Sequence, residues 1–453
     1  MKHCMRFLAL LLALLITGFA VAEGGLTFDG KIEPEKIEEI DALSIDGMAL
    51  TITEPEAYSA SNAESVKINS ANFPDKAFRS YVKAQYDKDG DGTLSPNEAN
   101  SVVEMFIGRD DERFIQVKCA NMKGLQFFPN LSMLVIVRCP VKSLDVSENK
   151  NLKVLICCYS NVEKIDVSKN TKLEELNVGT SKVKTLKLGK QKHLKTLVCD
   201  TNRLTSLDVT NCPNITYLQC NNNKLSKLDV SKNTKLDELV CYGNRLTNLD
   251  VSKNKKLNEL DCSENKLKAL NVTGNNRLEA LYCTDNQLKT LDVTSNSRLL
   301  NLYCGNNQLK TLDVTKNTKL IALWCDCNRL KGINVTKNVN LEIFNPSENP
   351  LGKLDITKNT KLRFLACDSS NLTTLNVSKN KKMRVLIAHS NKIKSIDIGN
   401  CPFLKGYLKE DATIDGDHAI WFGKWGDKDD FDVLHIDKRT KLMDGDKELY
   451  PTA

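Results

Sequence analysis

The stretch ELVCYGNRLTNLDVSKNKKL, from Glu238 to Leu257, is one line of a text that recurs every 21 residues along most of the chain. The line reads L-x-x-L-x-C-x-x-N-x-L-x-x-L-D-V-x-x-N-x-x. Thirteen units follow one another without insertion, beginning at Leu131, Leu152, Leu173, Leu194, Ile215, Leu236, Leu257, Leu278, Leu299, Leu320, Leu341, Leu362 and Met383. A fixed period of this length points to a solenoid, in which each unit buries its apolar side chains against its neighbours. One unit alone has too few apolar side chains to offset the ordering of its own backbone, so the copies must stack.

Each unit is two similar halves. Apolar residues at spacing two, Leu239 with Cys241 and Leu249 with Val251, mark short strands with one inward face. The asparagines that follow, Asn244 and Asn254, turn the chain, because their amides bond to backbone and asparagine tolerates φ > 0. The pattern predicts a mainly β fold with short parallel strands in two ladders per coil, one on each side. Units of 21 residues with two turns leave no room for a helix.

The sixth place is cysteine in nine units: Cys157, Cys199, Cys220, Cys241, Cys262, Cys283, Cys304, Cys325 and Cys367. It points inward between leucines. Ile136, Val178, Pro346 and Ala388 fill it elsewhere, so the slot takes a small or medium apolar group, which a buried cysteine is. No histidine or second cysteine stands at metal-ligand spacing. Stacked, parallel side chains are poorly aimed for disulfides, which predicts a reduced ladder. Cys119, Cys139 and Cys158 lie off the ladder near its N-terminal end and are the candidates for pairing.

The repeated text is similar to the bacterial leucine-rich repeats of the IRREKO type, whose consensus has the same nested halves. The resemblance spans residues 131–403. It departs from the pattern in the first three units, where Cys139, Ser160 and Ser181 replace the first asparagine and Lys187 replaces an aspartate. What it implies is a leucine-rich-repeat solenoid in an exported or surface protein that binds other macromolecules.

The two ends differ from the repeat. MKHCMRFLALLLALLITGFAVAEGG has a basic start, an apolar stretch and the small-residue site Ala20-Val21-Ala22. It reads as a signal peptide over 1–22 that directs secretion, with Cys4 misplaced for lipid attachment and no later segment able to span a membrane. Residues 23–65 read as an acidic linker. Residues 66–130 read as an N-terminal cap carrying an EF-hand-like calcium loop, DKDGDGTLSPNE. Asp87, Asp89 and Asp91 take positions one, three and five, Thr93 offers a carbonyl at seven, Ser95 acts through water at nine, and Glu98 closes at twelve. Three aspartates at spacing two repel one another without a cation. Phe78, Tyr81, Val82 and Tyr86 give the preceding segment helical spacing, and Ser95-Pro96 opens a short exit helix. Calcium then fixes the cap on the open first coil. Residues 404–453 alternate apolar and polar and read as a β-rich C-terminal cap, with Trp421, Phe422 and Trp425 clustered.

Composition narrows the function. A net charge of +7 on 453 residues, with no basic arm or zinc finger, excludes a nucleic-acid reader. There is no HExxH, GxSxG or phosphate-binding loop, and the five histidines are scattered, so no catalysis is expected. Function is expected where the line varies. The outward positions three, five and seven of the first strand vary widely, and position five runs Asp261, Tyr282, Tyr303, Trp324 in consecutive coils. Tyr242, Glu259, Asp285, Asp326 and His389 are adjacent. Stacked aromatics rimmed by carboxylates suit a protein or glycan ligand, as in an adhesin. The near-uniform second half, with Asp208, Asp229, Asp250, Asp292 and Asp313 each followed by Ser or Thr, reads as structure, its charges countered by Lys232, Lys253 and Lys316. The alternative is a structural cell-envelope protein held non-covalently by its basic turns.

Overall fold

The computed structural model describes residues 64–108, 115–116, 118–408, 413–415, 418–424 and 431–450. The signal peptide and nearly all of the acidic linker lie outside the described residues, as do Trp425 and the side chains of Trp421 and Phe422. Two compact units are present, one of residues 60–338 and one built on residues 339–453.

In the first unit every 21-residue line makes one coil. Three-residue strands at positions three to five pair in parallel, each shifted by one period: Glu175–Asn177, Thr196–Val198, Tyr217–Gln219, Glu238–Val240, Glu259–Asp261, Ala280–Tyr282, Asn301–Tyr303 and Ala322–Trp324. Below this ladder lies the core. Leu236, Leu239, Cys241, Leu246 and Val251 are each 0% exposed, and the same positions are closed in the neighbouring coils. The thiol ladder is buried as expected, and all fifteen described cysteines are free.

The second-half ladder is not the one the sequence predicts. Among the described residues, strand pairing on that side of this unit is confined to Lys164–Asp166 with Thr185–Lys187 and an isolated bridge from Asn121 to Ser143. Elsewhere one backbone bond crosses between coils, as from the Arg245 N–H to the Leu225 carbonyl. The reason is local. The position-fifteen carboxylate accepts the N–H two residues on, as Asp229 does from Ser231 at 2.9 Å, and bends the chain out of the extended form. Threonine hydroxyls add to this: Thr210 Oγ1 donates to Asp208 at 2.6 Å. These bonds hold Asp208, Asp229, Asp250, Asp292 and Asp313 below the usual carboxylate range. Lys187 pairs with Asp166 at 3.0 Å; in these five the turn engages the charge first, and the expected Lys232, Lys253 and Lys316 add to it by lowering Asp229, Asp250 and Asp313.

Asparagine at position nine behaves differently from expectation too. The left-handed residue is the one before it. Thr201, Asn222, Glu264, Asp285, Asn306 and Cys327 all have φ between 48° and 54°. Each costs roughly 1–2 kcal/mol relative to ordinary backbone. What holds them there is the following asparagine, which is buried and bonded at both ends of its amide. Asn244 Nδ2 donates to the Cys220, Cys241 and Tyr242 carbonyls, and its Oδ1 accepts the Leu225 N–H.

The N-terminal cap joins the same unit. Helix α1, Lys76–Tyr86, starts on Asp75, whose Oδ1 accepts the Ala77 and Phe78 N–H groups. The other oxygen of Asp75 accepts the Ala120 N–H at 2.9 Å, so one side chain caps the helix and ties it to the coil. Phe78, Tyr81 and Val82 face inward. Gly124 passes beside Phe73 so closely that a Cβ there would lie 2.2 Å from the ring. The parallel ladder begins before Leu131: Glu104–Gly108 pairs with Met133–Val137. Asn149 bonds back to the Leu125 and Phe128 carbonyls just as later asparagines bond to the coil before them. Residues before the first full line therefore already form a coil.

The second unit repeats the scheme and ends in a β-rich cap. Ile343–Asn345, Phe364–Ala366 and Val385–Ile387 pair in parallel, and Phe431–Asp437 adds beside the last of them. Lys441–Met443 pairs with Ser395–Asp397 on the other side of the coil. Asp437 accepts the Ser390 and Asn391 N–H groups, which supplies bonds that a fourteenth coil would otherwise give.

Candidate ligand-binding face

Positions three and five project outward from the first-half ladder because position four projects inward, as strand alternation requires. The predicted aromatics come together there. Tyr282 and Tyr303 have ring centroids 5.0 Å apart, and Tyr303 stacks on Trp324 at 5.8 Å with 7° between planes. Strand register brings this about, since Asp261, Tyr282, Tyr303 and Trp324 are direct partners in successive pairs. Trp324 is only 5% exposed, so it backs the stack, and the two half-buried tyrosines present the accessible surface. Tyr242, half-buried, takes the Asn222 amide on its hydroxyl at 3.4 Å. Asp285 occupies a left-handed position and accepts a bond from Asn306. Asp326 lies one residue beyond the buried Cys325. His389 belongs to the second unit, where its ring lies 3.9 Å from that of His435.

Carboxylates gather beside the rings. Burial, and then the neighbouring charges of Glu238 and Asp261, push Glu259 from its ordinary 4.5 up to about 7. Burial also raises Asp261 and Glu238. Glu175, in the same outward row, is 9% exposed and its Oε1 has no hydrogen-bond partner. Glu238, Glu175 and Tyr217, which donates to Gln219 at 2.7 Å, were not singled out from the sequence. Position three carries them, and reading that column as closely as position five reveals the signal. In the first coils the same outward positions are apolar instead, where Met133, Val135, Val154, Ile156 and Cys158 pack together.

The second predicted site is the loop between α1 and helix α2, Pro96–Ser101. One carboxylate oxygen from each of Asp87, Asp89 and Asp91 lies within 4.8 Å of the other two. The Asp87 Oδ1 is shut off from solvent without a hydrogen-bond partner, while its Oδ2 accepts the Gly92 N–H at 3.1 Å. Thr93 and Leu94 pair with Lys67 and Val66, so the loop's short strand has its partner. Ser95 caps α2 in a reciprocal box with Glu98, whose Oε1 also accepts the Lys88 N–H at the start of the loop. Among the described residues no other group of three acidic, histidine or cysteine side chains converges in this way. This arrangement suits a cation.

Comparison with known proteins agrees with the architecture. No protein-family model and no curated protein sequence matches the chain. Among solved structures, the functional domain of InlJ from Listeria monocytogenes, described as including a cysteine ladder, is 29% identical with a TM-score of 0.64, over 76% of this chain and 71% of that one. An internalin of Listeria monocytogenes is 20% identical with a TM-score of 0.59, covering 70% and 96%. A leucine-rich-repeat protein of Leptospira interrogans is 19% identical with a TM-score of 0.57, covering 66% and 82%. No helix among the described residues is long and apolar enough to cross a membrane. Period, register and the column of buried thiols together make this chain a leucine-rich-repeat solenoid similar to internalin-like bacterial proteins.

Proposed function

We propose that the chain is an exported, non-catalytic binding protein that recognises a protein or glycan through the outward strand face bearing Tyr242, Asp261, Tyr282, Asp285, Tyr303, Trp324 and Asp326. Export rests on the signal peptide read over residues 1–22. One observation carries the binding reading: two partly exposed tyrosines line up in register, one stacked on a buried tryptophan and the other tilted against the first, with raised carboxylates alongside. Side chains chosen only for packing would repeat from coil to coil as the leucines do, and these do not. The test is a glycan and surface-protein screen with the mature chain and with Tyr282→Ala/Tyr303→Ala. A tenfold or larger loss in the double variant, with the melting temperature kept within a few degrees, is expected. Unchanged binding rejects the reading.

Calcium is assigned to the 87–98 loop on the same footing. The supporting observation is the orphaned, occluded oxygen of Asp87 facing two further carboxylates in a turn that the sequence matches position by position. Asp87, Asp89, Asp91, the Thr93 carbonyl, Ser95 through water and Glu98 would hold the ion, whose charge offsets the repulsion among the aspartates. The expected result is a rise in melting temperature with millimolar calcium that Asp87→Asn/Asp89→Asn abolishes. An equal melting temperature with calcium and with chelator removes the assignment.

A second reading has its own observation. A groove on the second-half side of the first coils is lined by Lys142, Lys164, Lys169, Lys182 and Lys187 against three carboxylates, Asp145, Glu163 and Asp166. It suits non-covalent retention on an anionic envelope polymer. Release of the protein from cells by salt supports this reading, and release by a soluble ligand of the strand face opposes it.

A further inference from the structure

The repeat separates charge by position. Take the seven coils that begin between Leu194 and Leu320, and positions three, five, seven and eight of each. These carry Asp200, Glu238, Glu259, Asp261, Glu264, Asp285 and Asp326, with no lysine, arginine or histidine among them. The chain as a whole is +7. Its basic residues in these coils stand elsewhere: at position ten, as Arg203, Lys224, Arg245, Lys266 and Arg329 do, at twelve or thirteen, as Lys227 and Lys268 do, from position eighteen on, and once at position two, Lys195. Among the described residues, no lysine or arginine forms an ion pair with Glu238, Glu259 or Asp261.

Like charges on adjacent strands lie about 4.8 Å apart and destabilise a sheet unless something answers them. Elsewhere in this molecule they are answered, by turn N–H groups at position fifteen and by lysine at Asp166. On the strand face Glu238 pairs directly with Glu259, and Asp261 stands beside Tyr282 in the next coil. Asp261 accepts the Ser263 N–H at 3.0 Å, but burial takes water from all three carboxylates, and among the described residues no cation stands against them. Three strands away in the same column, beyond Thr196 and Tyr217, Glu175 is nine-tenths buried and its Oε1 is bonded by no protein group. The adjoining tyrosine rings offer electron-rich faces over which an ammonium or guanidinium rests.

We infer, building on the strand-face reading above, that the ligand is a basic protein segment whose lysine or arginine side chains seat between the carboxylates of Glu238, Glu259 and Asp261 and the rings of Tyr282 and Tyr303. Charge complementarity selects this occupant over a neutral glycan. A sugar face uses the aromatic rings but leaves a row of desolvated carboxylates unneutralised, whereas a cation relieves them and gains from the rings as well. The distance from Glu238 to Tyr303 is three coil steps, about 14 Å, which four or five extended residues cover.

The experiment uses the mature chain and a six-residue peptide of alternating arginine and serine, with a peptide in which citrulline replaces arginine as its neutral twin. Affinities are read by titration calorimetry at low salt. The arginine peptide binds at least tenfold tighter than the citrulline peptide. The triple variant Glu238→Gln/Glu259→Gln/Asp261→Asn loses that preference while its melting temperature holds or rises. Affinity for the arginine peptide increases between pH 5.5 and pH 8 as the row ionises, and the triple variant flattens this profile. Absence of binding at millimolar peptide, or equal binding of the two peptides, overturns the inference. So does a triple variant that binds like the parent. A neutral glycan whose binding needs Tyr282 and Tyr303 but not the three carboxylates overturns the basic partner and leaves the strand-face reading standing. Ligand binding indifferent to Tyr282→Ala/Tyr303→Ala overturns the strand-face reading itself.

Discussion

Asn244 closes four hydrogen bonds with one amide, all to backbone groups, and its Oδ1 takes the Leu225 N–H. Asn254, in the second half, uses only its nitrogen, donating to the Val230 and Asn233 carbonyls, while its oxygen is buried without a protein partner. Asp250 bonds one N–H at the surface. The order of cost on truncation follows. Asn244→Ala is expected to lose on the order of 2–4 kcal/mol in urea unfolding, Asn254→Ala less, and Asp250→Ala about 0.5–1 kcal/mol. Equal losses at all three would contradict the account of the asparagine column. Glu259 gives a second prediction. Its folded value, near 7, lies above its ordinary 4.5, so the folded state holds the proton more tightly. Its contribution to stability is fully present below pH 4.5 and is lost as pH rises through 7. Melting temperature should therefore fall from pH 5 to pH 8, and Glu259→Gln should remove part of that fall. A variant that tracks the parent across this window refutes the assignment. Cys327 is the one described cysteine that is not buried, because it stands at a left-handed outward position. It is expected to be the first thiol alkylated in the native protein, well ahead of the ladder, as mass mapping would show.

Among the elements, the first coils and both caps are where the uniform line gives way. Cys139 replaces an asparagine, and its sulfur lies 3.4 Å from that of Cys119, which is contributed by the coil in front. Both are buried, and the hydrogen bond to Cys139 together with burial pushes the Cys119 thiol up. Of the three off-ladder cysteines near the N-terminal end, these two are the pair whose sulfurs meet. Oxidised glutathione in a refolding buffer should take two electrons and two protons from them by thiol–disulfide exchange, leaving as two reduced glutathiones, and form one disulfide between the cap and the first full coil. Thiol counting should then fall by two, and Cys119→Ser should prevent it. A Cys119→Ser protein that still loses two thiols would show that other cysteines pair. At the far end, Phe431–Asp437 covers the edge of Val385–Ile387. Deletion of residues 431–453 bares that edge and the apolar face beneath it, and light scattering should report association. A monomeric, unchanged truncation would mean that the strand protects nothing.

For the molecule as a whole, the repeat makes each coil depend on its two neighbours alone, so whole coils are exchangeable and fractions of coils are not. Removing residues 236–256, one complete line, restores every register contact and should leave a cooperative transition within a few degrees of the parent. Removing half a line places outward residues in the core and should abolish that transition. Calorimetry on the two deletions decides it. The same repetition sorts charge, with basic residues kept off the outward strand positions of the coils from Leu194 to Leu320 and acidic ones admitted there, so a chain of net charge +7 carries an acidic surface.

Much of this was legible in the repeated line. Period and inward spacing specify the coil, the parallel register and the buried thiols, because a residue type that recurs in every copy must meet the same surroundings in every copy. The alternation of the first strand likewise specifies that Tyr282, Tyr303 and Trp324 stand side by side, as their ring contacts bear out. What the line could not specify was the competition between hydrogen bonds. Whether Asp229 joins a ladder or folds back on its own backbone is decided by the coil around it, and so is whether Asn244 turns the chain itself or holds the residue before it in the left-handed form. Burial of Trp324, the raised carboxylate of Glu259 and the meeting of Cys119 with Cys139 are set by desolvation and by contacts between coils, which exist only once the coils have stacked.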